Sequence, residues 1–527
     1  MTRFLGFGLI LALAIITVSC HQTGFPHGGI TYADLSGGTS GGGGVGEGFL
    51  PPFPPIGDGG IPGGNIPGWE TGSPSNPGGR MTVAEQFDWL RANAAAGSRF
   101  NVWAWQEPNE RLYDQDIHGI GGVAISVLMQ SYYAQTRVLQ LGEGGDTMFT
   151  MGNNSTLYIQ NLELQGLSTN NAALVRVDDD GKFFMGIFSA VKYSEIGVAI
   201  VDGGHLIMTR NSEINSNRFY GVHMTGSRSK FEMRYDSSIS STVAVLRRGV
   251  RVNGGEMIMN GRSTVTSNTH GDGILLVNGG RLIMNYRSSI SGNNRGIWVA
   301  GSTSTVVMND YAAIYNNTNT NGEGAGVVVT EGATLIMNNN SRIRHNESRV
   351  QGRVGGVVVD TGSTLIMNQD ARIHNNSCAY GGPPTRRFHG GGVSVRLGTV
   401  QMNGNSRIEN NRSMNHTNSG GGVDLLDNAS LIMNGNSRIS GNHSRPAGGG
   451  GGVRVGNNST VTINGGLIYG NNHDNPSEIN TVAAASSHVL FITGSGNVRV
   501  GGISGTLIDT SRDNTIGVHL GVQQTGI

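Results

Sequence analysis

One short phrase recurs through this chain of 527 residues, and it restricts the possible folds more than any other feature. Two clear copies are GATLIMNNNSRIRHN at 332–346 and GSTLIMNQDARIHNN at 362–376. A methionine marks each copy, and successive methionines lie 23 to 35 residues apart. Internal repeats of this length are typical of solenoids, in which each repeat stacks on the next. The repeated methionines are Met185, Met208, Met233, Met259, Met284, Met308, Met337, Met367, Met402 and Met433.

Each repeat contains three short apolar segments, separated by residues that favour turns. The valine segment follows a glycine and places two aliphatic residues around a variable position, as in Val250-Arg251-Val252. The methionine segment has the same alternation as Leu-x-Met, and the isoleucine segment contributes one aliphatic residue. A period of two is the pattern of a strand that is buried on one side. It predicts that the aliphatic residues and the methionines face a core.

The variable positions are predicted to face solvent. In the valine segment they hold His223, Arg251, Trp298, Val328, Val358, Ser394, Asp424 and Arg454. In the methionine segment two of them hold Glu232 and Gln401, so the isoleucines at the same place are predicted to form an exposed strip. These isoleucines are Ile207, Ile258, Ile283, Ile336, Ile366 and Ile432.

Three strands of three to five residues, closed by turns, predict one coil of an all-β, single-stranded, right-handed parallel β-helix of roughly 12–14 coils. Coils would stack about 4.8 Å apart, the spacing of strands in a sheet, so equivalent side chains would form ladders. Asparagines that follow the isoleucine segment are predicted to form a structural ladder at the turn, because asparagine tolerates a left-handed backbone and its amide can bond along a stack. The predicted turn ladder is Asn268, Asn293, Asn316, Asn346, Asn375, Asn410 and Asn442.

The combined pattern, Gly-apolar-x-apolar followed by LxMxxxSxIxxN, resembles the pectin-lyase-like, right-handed β-helix repeat proteins of spirochaete and other bacterial surfaces. The resemblance covers about residues 150–475. It implies a fold much more strongly than an activity, since that fold carries lyases, hydrolases, adhesins and phage tail proteins.

The first 19 residues have the features of a secretory signal peptide. Arg3 is followed by an apolar run over 4–16 and by small residues, a pattern too short for a stable membrane span. Cys20, directly after the expected cleavage site, resembles a bacterial lipoprotein box, although Thr17 departs from its usual leucine. This resemblance implies acyl chains on Cys20 that anchor the protein in a membrane. The alternative is an ordinary cleaved signal.

Residues 20–80 are rich in glycine and proline and predict a disordered tether, because they cannot bury enough apolar surface to offset chain entropy. His21, in place of aspartate after the cysteine, implies delivery to the outer membrane or cell surface by analogy with enteric bacteria. A lipid, a tether and a rigid rod together predict display away from the membrane.

A helix is predicted after Thr82, which forms a capping box with Glu85. An open solenoid end is an unpaired sheet edge, so residues 81–118 are predicted to be a cap helix and first strand. A small separate domain is the alternative. Residues 119–475 are then the β-helix repeats, and residues 476–527 are predicted to be closing coils.

Loops lengthen in the C-terminal half of the repeats. Three residues separate Asn293 from the next segment glycine, whereas ten separate Asn316 from its own. Insertions at one place in a solenoid gather on one face, often the binding face. We therefore predict a recognition surface in the longest loop, 377–391; neutral variation in a tolerant loop is the alternative. Its candidate residues are Tyr380, Arg386, Arg387, Phe388 and His389.

Metal and cofactor signals are weak. The acidic run Asp178-Asp179-Asp180 is a weak candidate for calcium, because consecutive residues of an extended chain point apart. His389, His416, His443 and His473 recur at nearly one coil each, but their offsets from the turn differ, which argues against a metal ladder. No cofactor is predicted. With Cys20 lipidated, Cys378 has no partner for a disulfide within the chain.

The balance of 36 basic and 36 acidic residues argues against electrostatic capture of nucleic acid. The function that we predict is a binding, adhesion or structural module on a lipid-anchored rod, with a glycan or a host or cell-surface protein as partner. A polysaccharide lyase or glycoside hydrolase is the alternative. Three or more acidic, arginine or histidine side chains that converge on one strand face would favour the enzyme.

Overall fold

The structure is a computed structural model, and it describes most of the chain from Met81 onward. The described residues are 81–105, 110–118, 124–131, 135–240, 248–350, 353–378, 389–414, 419–445, 449–469, 477, 479–482, 488–492, 495–500, 503–505 and 516–518. The predictions for the signal peptide, for Cys20, for the tether and for Tyr380, Arg386, Arg387 and Phe388 fall outside them.

The described chain winds as a right-handed parallel β-helix, which confirms the predicted fold class. Each coil contributes one strand to each of three long sheets, so strands that are neighbours in a sheet come from successive coils. We name these sheets after the segments that form them: the methionine sheet, the isoleucine sheet and the valine sheet. All their pairings are parallel except those of the last strand in the methionine sheet and in the isoleucine sheet.

The strands are short throughout. The methionine sheet contains Arg99–Ala104, Ser126–Ser131, Thr156–Gln160, Lys182–Met185, His205–Met208, Lys230–Met233, Glu256–Met259, Arg281–Met284, Thr305–Met308, Thr334–Met337, Thr364–Met367, Thr399–Met402, Ser430–Met433, Thr460–Ile463, Asn497–Val500 and Ile503–Gly505. The isoleucine sheet contains Glu110–Leu112, Arg137–Leu141, Leu162–Gln165, Ala190–Lys192, Glu213–Asn215, Ser238–Ser240, Thr264–Thr266, Ser289–Ser291, Ala313–Tyr315, Arg342–Arg344, Arg372–His374, Arg407–Glu409, Arg438–Ser440, Gly466–Ile468 and Ile516–Val518. The valine sheet contains Gln115–His118, Phe149–Gly152, Ala173–Val177, Ile196–Ile200, Tyr220–Thr225, Arg248–Asn253, Asp272–Val277, Arg295–Ala300, Val327–Thr330, Val357–Asp360, Val393–Arg396, Val423–Leu425, Gly450–Val455 and His488–Ile492.

The core is one continuous column of apolar side chains inside the coils. All of the repeated methionines are fully buried, and each pairs in register with the next, as Met337 does with Met367. The in-register column runs through Met208, Met233, Met259, Met284, Met308, Met337, Met367, Met402 and Met433. Truncation of one of these side chains to alanine would cost about 2–5 kcal/mol, because the cavity could collapse only partly.

The turn ladder differs from the predicted one by one residue in three coils. In those coils Asn316, Asn375 and Asn410 have left-handed backbones, with φ between 52° and 55°, and the residue after each of them enters the ladder. The prediction assigned the left-handed backbone and the ladder amide to one asparagine, whereas the structure divides them between two consecutive residues. The left-handed position accepts Ser267, Gly292 and His345 as well, while the ladder position requires an amide. The observed buried amide ladder is Asn268, Asn293, Asn317, Asn346, Asn376, Asn411, Asn442 and Asn480.

Each central asparagine of this ladder satisfies its hydrogen-bonding groups. The Nδ2 of Asn346 donates to the Oδ1 of Asn376 at 3.0 Å and to the carbonyl of Ile314 at 3.1 Å. Its Oδ1 accepts from the main-chain N–H and the Nδ2 of Asn317. A buried amide with all its groups paired stabilises the turn, whereas a missing link leaves several groups without partners.

A second ladder of asparagines follows the methionines on the outer side of the methionine sheet. Here the Nδ2 of Asn338 donates to the Oδ1 of Asn309 at 2.9 Å, and the same bond recurs between successive coils. These side chains are only partly buried, and they border the predicted isoleucine strip. This surface amide ladder is Asn260, Asn285, Asn309, Asn338, Asn368, Asn403, Asn434 and Asn464.

The isoleucine strip is less exposed than predicted. Ile258, Ile283, Ile336, Ile366 and Ile432 are half-buried, and Ile207 is 1% exposed. Ile207 lies in register between Phe184 and Glu232, and the long side chains of these two neighbours leave it little access to solvent.

A fourth sheet was not predicted. Each of the long C-terminal loops begins with a two-residue strand, and these strands stack in parallel as the loop sheet. The loops fold over the outer side of the valine sheet, where Val328, Val354 and Val358 form a second small core. The strands of the loop sheet are Thr318–Asn319, Glu347–Ser348, Ser377–Cys378, Arg412–Ser413, His443–Ser444 and Thr481–Val482.

This cover overturns the predicted exposure of four variable positions: Val328 is 1% exposed, and Val358, Ser394 and Asp424 are fully buried. His223, Arg251, Trp298 and Arg454 are half-buried. Burial raises the pKa of the Asp424 carboxyl, and its ion pair with Arg454 opposes that rise.

The N-terminal end is closed by helix α1, Val83–Asn93. Thr82 and Glu85 form the predicted capping box. Phe87 and Leu90 are buried in the same core as the first coils, and the Phe87 ring lies 5.8 Å from that of Phe149. The helix is therefore continuous with the solenoid core and is not part of a separate domain.

Candidate binding cleft at the edge of the loop sheet

A cleft of about 550 Å³ opens on the outer side of the valine sheet, where the covering loops begin. Among the described residues, coils before this point leave the valine sheet uncovered, and the loop after Asn317 is the first to fold over it. The cleft lies at the boundary between coils without a covering loop and coils with one. Its charged and aromatic lining is Arg248, His270, Asp272, Arg295, Trp298, Glu323 and Arg353.

Stacking of the coils builds a charged column at the floor of the cleft. Asp272 is in register with Arg295 on the next coil, and Arg248 occupies the same place on the preceding coil. The Asp272 carboxylate accepts a hydrogen bond from Arg248 Nε at 2.9 Å and pairs with Arg295 Nη1 at 3.2 Å. Because Asp272 is only 6% exposed, both arginines stabilise a carboxylate that burial alone would disfavour.

Arg295 is the most constrained cation of the cleft. It is 4% exposed, its Nε donates to the carbonyl of Gly324 at 3.2 Å, and its guanidinium lies 4.5 Å from the ring centroid of Trp298. Burial lowers the pKa of Arg295, while Asp272 and Glu323 act in the opposite direction. A planar guanidinium held by a carbonyl, a carboxylate and an indole keeps a fixed orientation.

The opposite wall comes from the first two covering loops. Arg353 pairs with Glu323 at 3.2 Å, and its Nε is buried without a hydrogen-bond partner. Amide contacts hold the first loop in place, because Asn294 Nδ2 donates to Asn321 Oδ1 at 2.7 Å and the main chain of Thr320 donates to Asn294 Oδ1 at 2.9 Å. The wall is therefore supported by the coil beneath it.

The electrostatic balance of the cleft favours an anionic ligand. Three guanidiniums face two carboxylates, and each carboxylate is already paired with arginine. Arginine is well suited to hold a carboxylate or phosphate group through two hydrogen bonds. Trp298 adds an aromatic surface of the kind on which sugar rings and other flat apolar faces pack.

A second polar cluster lies on the methionine sheet. Glu232 pairs with His205 at 3.2 Å and with Arg234. Burial alone would raise the pKa of Glu232, but hydrogen bonds from His205 and Arg234 outweigh burial and lower that pKa to about 2. On the same outer column the rings of Tyr158 and Phe184 stack at 4.4 Å.

The structure separates the sequence candidates from the cleft. Asp178 pairs with Arg176 at 2.8 Å, and Asp180 pairs with Arg228 at 3.3 Å, so two members of the acidic run have cationic partners. Among the described residues, no three histidine, cysteine or acidic side chains form a group that could hold a metal ion. His389 is 8% exposed beneath the loops, and Cys378 is buried in the loop sheet. The remaining candidates of the 377–391 loop lie outside the described residues.

Sequence reasoning missed Arg248, Asp272 and Arg295, although a signal was present. Each immediately precedes the glycine of its valine segment, in the phrases Arg-Gly-Val, Asp-Gly-Ile and Arg-Gly-Ile. Equivalent positions in successive coils must stack, so opposite charges at that position predict a charged column. The sequence carried no such signal for Glu323 and Arg353, because their position in the cleft depends on how the loops fold.

Comparison of the chain with protein-family models, with curated proteins and with solved structures gives no match. The described residues contain no helix with the length and apolar character that crossing a bilayer requires.

Proposed function

We propose that this protein is a rod-like binding module, held at the cell envelope by a lipid on Cys20, and that its cleft binds an acidic saccharide. The observation that carries this proposal is the excess of guanidinium over carboxylate around a cleft that an aromatic residue also lines. A sugar carboxylate would pair with the guanidinium of Arg353, and the sugar ring would lie beside Trp298.

The resemblance of the repeats to bacterial surface proteins with pectin-lyase-like coils supports an envelope location. The glycine-rich tether predicted for 20–80 would give the rod reach beyond the membrane surface. Adhesion to a host or cell-surface glycoprotein would follow from the same cleft if that partner carried acidic sugars.

Titration calorimetry with the full chain tests this proposal. The probes are short oligomers of galacturonic acid, and the matched neutral probes are oligomers of galactose. We expect binding of the acidic oligomers alone, weakened about tenfold or more by Arg353→Gln. The control is Arg281→Gln, which removes an exposed guanidinium paired with Glu256 on the methionine sheet. Equal binding of neutral and acidic oligomers, or no effect of Arg353→Gln, would contradict the proposal.

A second candidate is a polysaccharide lyase. The convergence of Asp272, Arg248 and Arg295 on one strand face is the arrangement that favours an enzyme. In such an elimination, a guanidinium neutralises the sugar carboxylate and a base removes the proton from the adjacent carbon. The glycosidic C–O bond at the next carbon then breaks as a C=C bond forms, and the departing oxygen takes up a proton from water. Arg295, whose pKa burial lowers, would be the base.

The release of unsaturated sugars distinguishes the two functions. The wild-type chain is incubated with polygalacturonate, and the ultraviolet absorbance of the unsaturated product is followed. We expect none from a binding module. A rate that Arg295→Gln abolishes while the acidic oligomers still bind would establish the lyase and replace the binding module as the function of the cleft.

A further inference from the structure

A column of arginines lies on the outer side of the isoleucine sheet, away from the cleft. Arg342, Arg372, Arg407 and Arg438 occupy the same position on four successive coils and pair directly in register. The side chains of Arg372 and Arg407 are 32% and 31% exposed. Because coils are one strand apart, the column repeats a positive charge about every 4.8 Å along the rod.

The neighbouring outer column adds to this charge. It contains Arg344, His374, Glu409 and Ser440, so the outer positions of these four strands hold five arginines and one carboxylate. Glu409 lies 3.5 Å from Arg372 and 3.9 Å from Arg407, at the outer limit of an ion pair. The Nε atoms of Arg342, Arg372 and Arg407 are buried without a hydrogen-bond partner.

The column is unfavourable for folding by itself. Like charges directly opposite each other on adjacent strands destabilise a sheet. On the preceding coils the same sheet places uncharged residues outward, namely Ser238, Thr264 and Ser289 with Ser240, Thr266 and Ser291. The whole chain carries no net charge, so this concentration of positive charge is a local feature of the column. Within the chain, Arg372 and Arg407 share the single carboxylate of Glu409, and Arg344 and Arg438 lie over the rings of Tyr315 and Tyr469. One carboxylate does not neutralise five arginines, and the remaining positive charge indicates an anionic partner outside the chain.

We propose that the arginine column binds a linear anionic polysaccharide that runs parallel to the rod axis, with one acidic group near each coil. A straight row of guanidiniums at a constant interval complements an extended polymer whose acidic groups recur at a constant interval. This binding surface does not depend on the cleft, which lies on the valine sheet and would hold a short saccharide.

The geometry favours a polysaccharide over a nucleic acid. In duplex DNA the phosphates of one strand recur every 3.4 Å along the axis and wind around it, so a straight column with a spacing of about 4.8 Å soon loses register. Single-stranded nucleic acids are held by aromatic side chains that stack on successive bases. The outer positions of these four strands contain no aromatic residue apart from the imidazole of His374.

The test measures binding of the full chain to immobilised polygalacturonate, with dextran, single-stranded DNA and duplex DNA as comparison polymers. We expect binding to polygalacturonate that salt weakens, and a loss of about tenfold or more in Arg372→Gln/Arg407→Gln. Glu409→Gln removes the single carboxylate of the two columns and should tighten binding severalfold. Arg281→Gln on the methionine sheet should leave polymer binding unchanged. The Arg372→Gln/Arg407→Gln variant should still bind the short galacturonic acid oligomers, which separates this proposal from the proposed function of the cleft.

Circular dichroism and thermal unfolding of each variant confirm that it is folded. Equal binding by wild type and the double arginine variant would overturn the proposal, as would equal binding of dextran. Tighter binding to either DNA than to polygalacturonate would overturn the choice of polymer. Weaker polymer binding by the double variant, together with tighter binding by Glu409→Gln, is the result that supports the proposal.

Discussion

The two halves of the solenoid differ in what covers the valine sheet. Up to Trp298 the described residues form three strands in each coil, and side chains such as His223 and Arg251 are half-exposed on the outer side of the valine sheet. From Val327 onward a fourth strand and its loop cover the same face, and Val358 is fully buried. The methionine sheet keeps one register through both halves. An insertion at a single turn therefore converts one face from surface to core without disturbing the others.

The largest difference between the halves is expected for a carboxylate on the outer side of the valine sheet. Val358→Asp would bury an unpaired charge between Val328 and Ser394 and should destabilise the protein by about 4 kcal/mol. Ala199→Asp, at the equivalent uncovered position beside Arg176 and His223, should change stability by about 0.5 kcal/mol or less. Chemical denaturation measures both. Equal losses would show that the loops do not cover this face.

The next effect concerns the buried amide ladder. Asn346→Ala would remove the acceptor of the main-chain N–H and Nδ2 of Asn317 and the amide donor to the Ile314 carbonyl, and we expect a loss of about 3 kcal/mol. Asn217→Ala should cost about 1–2 kcal/mol, because Asn217 accepts from Ser194 and its Nδ2 makes a long bond of 3.4 Å. Thermal unfolding of the two variants provides the comparison. A larger loss in Asn217→Ala would refute the proposed importance of amide-to-amide links.

The stability of the two halves should also depend on pH over different ranges. Burial, followed by His345, Arg342, Arg344 and Arg372, lowers the pKa of His374 to about 4. Its neutral form is thus favoured in the fold, so stability should fall by about 1–2 kcal/mol as the pH drops from about 6.5 to about 4, after allowance for solvent screening.

In the N-terminal half the pKa of Glu232 is lowered to about 2, so its contribution should persist at pH 5 and be lost only as the pH falls from about 4.5 to about 2. Hydrogen exchange at pH 7, 5 and 3 locates the opening. Loosening around His374 should precede loosening around Glu232, and His374→Gln should remove the first step. Simultaneous loosening would be the contrary result.

The smallest effect concerns a position at which substitutions in the two halves should have equal effects on stability. Ile258 and Ile366 are half-buried at the same outer position of the methionine sheet, one in each half. Replacement of either by serine should cost about 0.5–1 kcal/mol, because each side chain gives up part of its buried apolar area. Denaturation of the two variants should give equal losses. A clear difference would mean that the covering loops alter the methionine sheet as well.

The sequence was sufficient to predict the main architecture. Spacing of Met337 and Met367 and alternation around Arg251 predicted stacked strands, because strand periodicity and repeat length are local properties of the chain. The capping box at Thr82 and Glu85 was readable for the same reason. The identity of the asparagine in each turn was harder, since Asn316 and Asn317 are both asparagine and only the backbone conformation separates their roles.

The loop sheet and the cleft could not be derived in the same way. Val328 and Val358 occupy a position that Arg251 also occupies, and their burial depends on a loop that folds back over them. Such contacts join distant parts of the chain and leave no periodic signal. The Arg248-Asp272-Arg295 column could have been predicted, since register follows from the repeat, but a charged stack becomes a cleft only where the loops begin.

The two asparagine ladders run with opposite polarity. In the buried ladder each Nδ2 donates toward the C-terminal end, as Asn346 does to Asn376, whereas in the surface ladder each donates toward the N-terminal end, as Asn338 does to Asn309. Side-chain amides are dipoles, and aligned dipoles add along an axis. Because the two lines of amide-to-amide bonds run in opposite directions, the dipoles of one offset those of the other, and a further repeat would add a hydrogen bond of each direction.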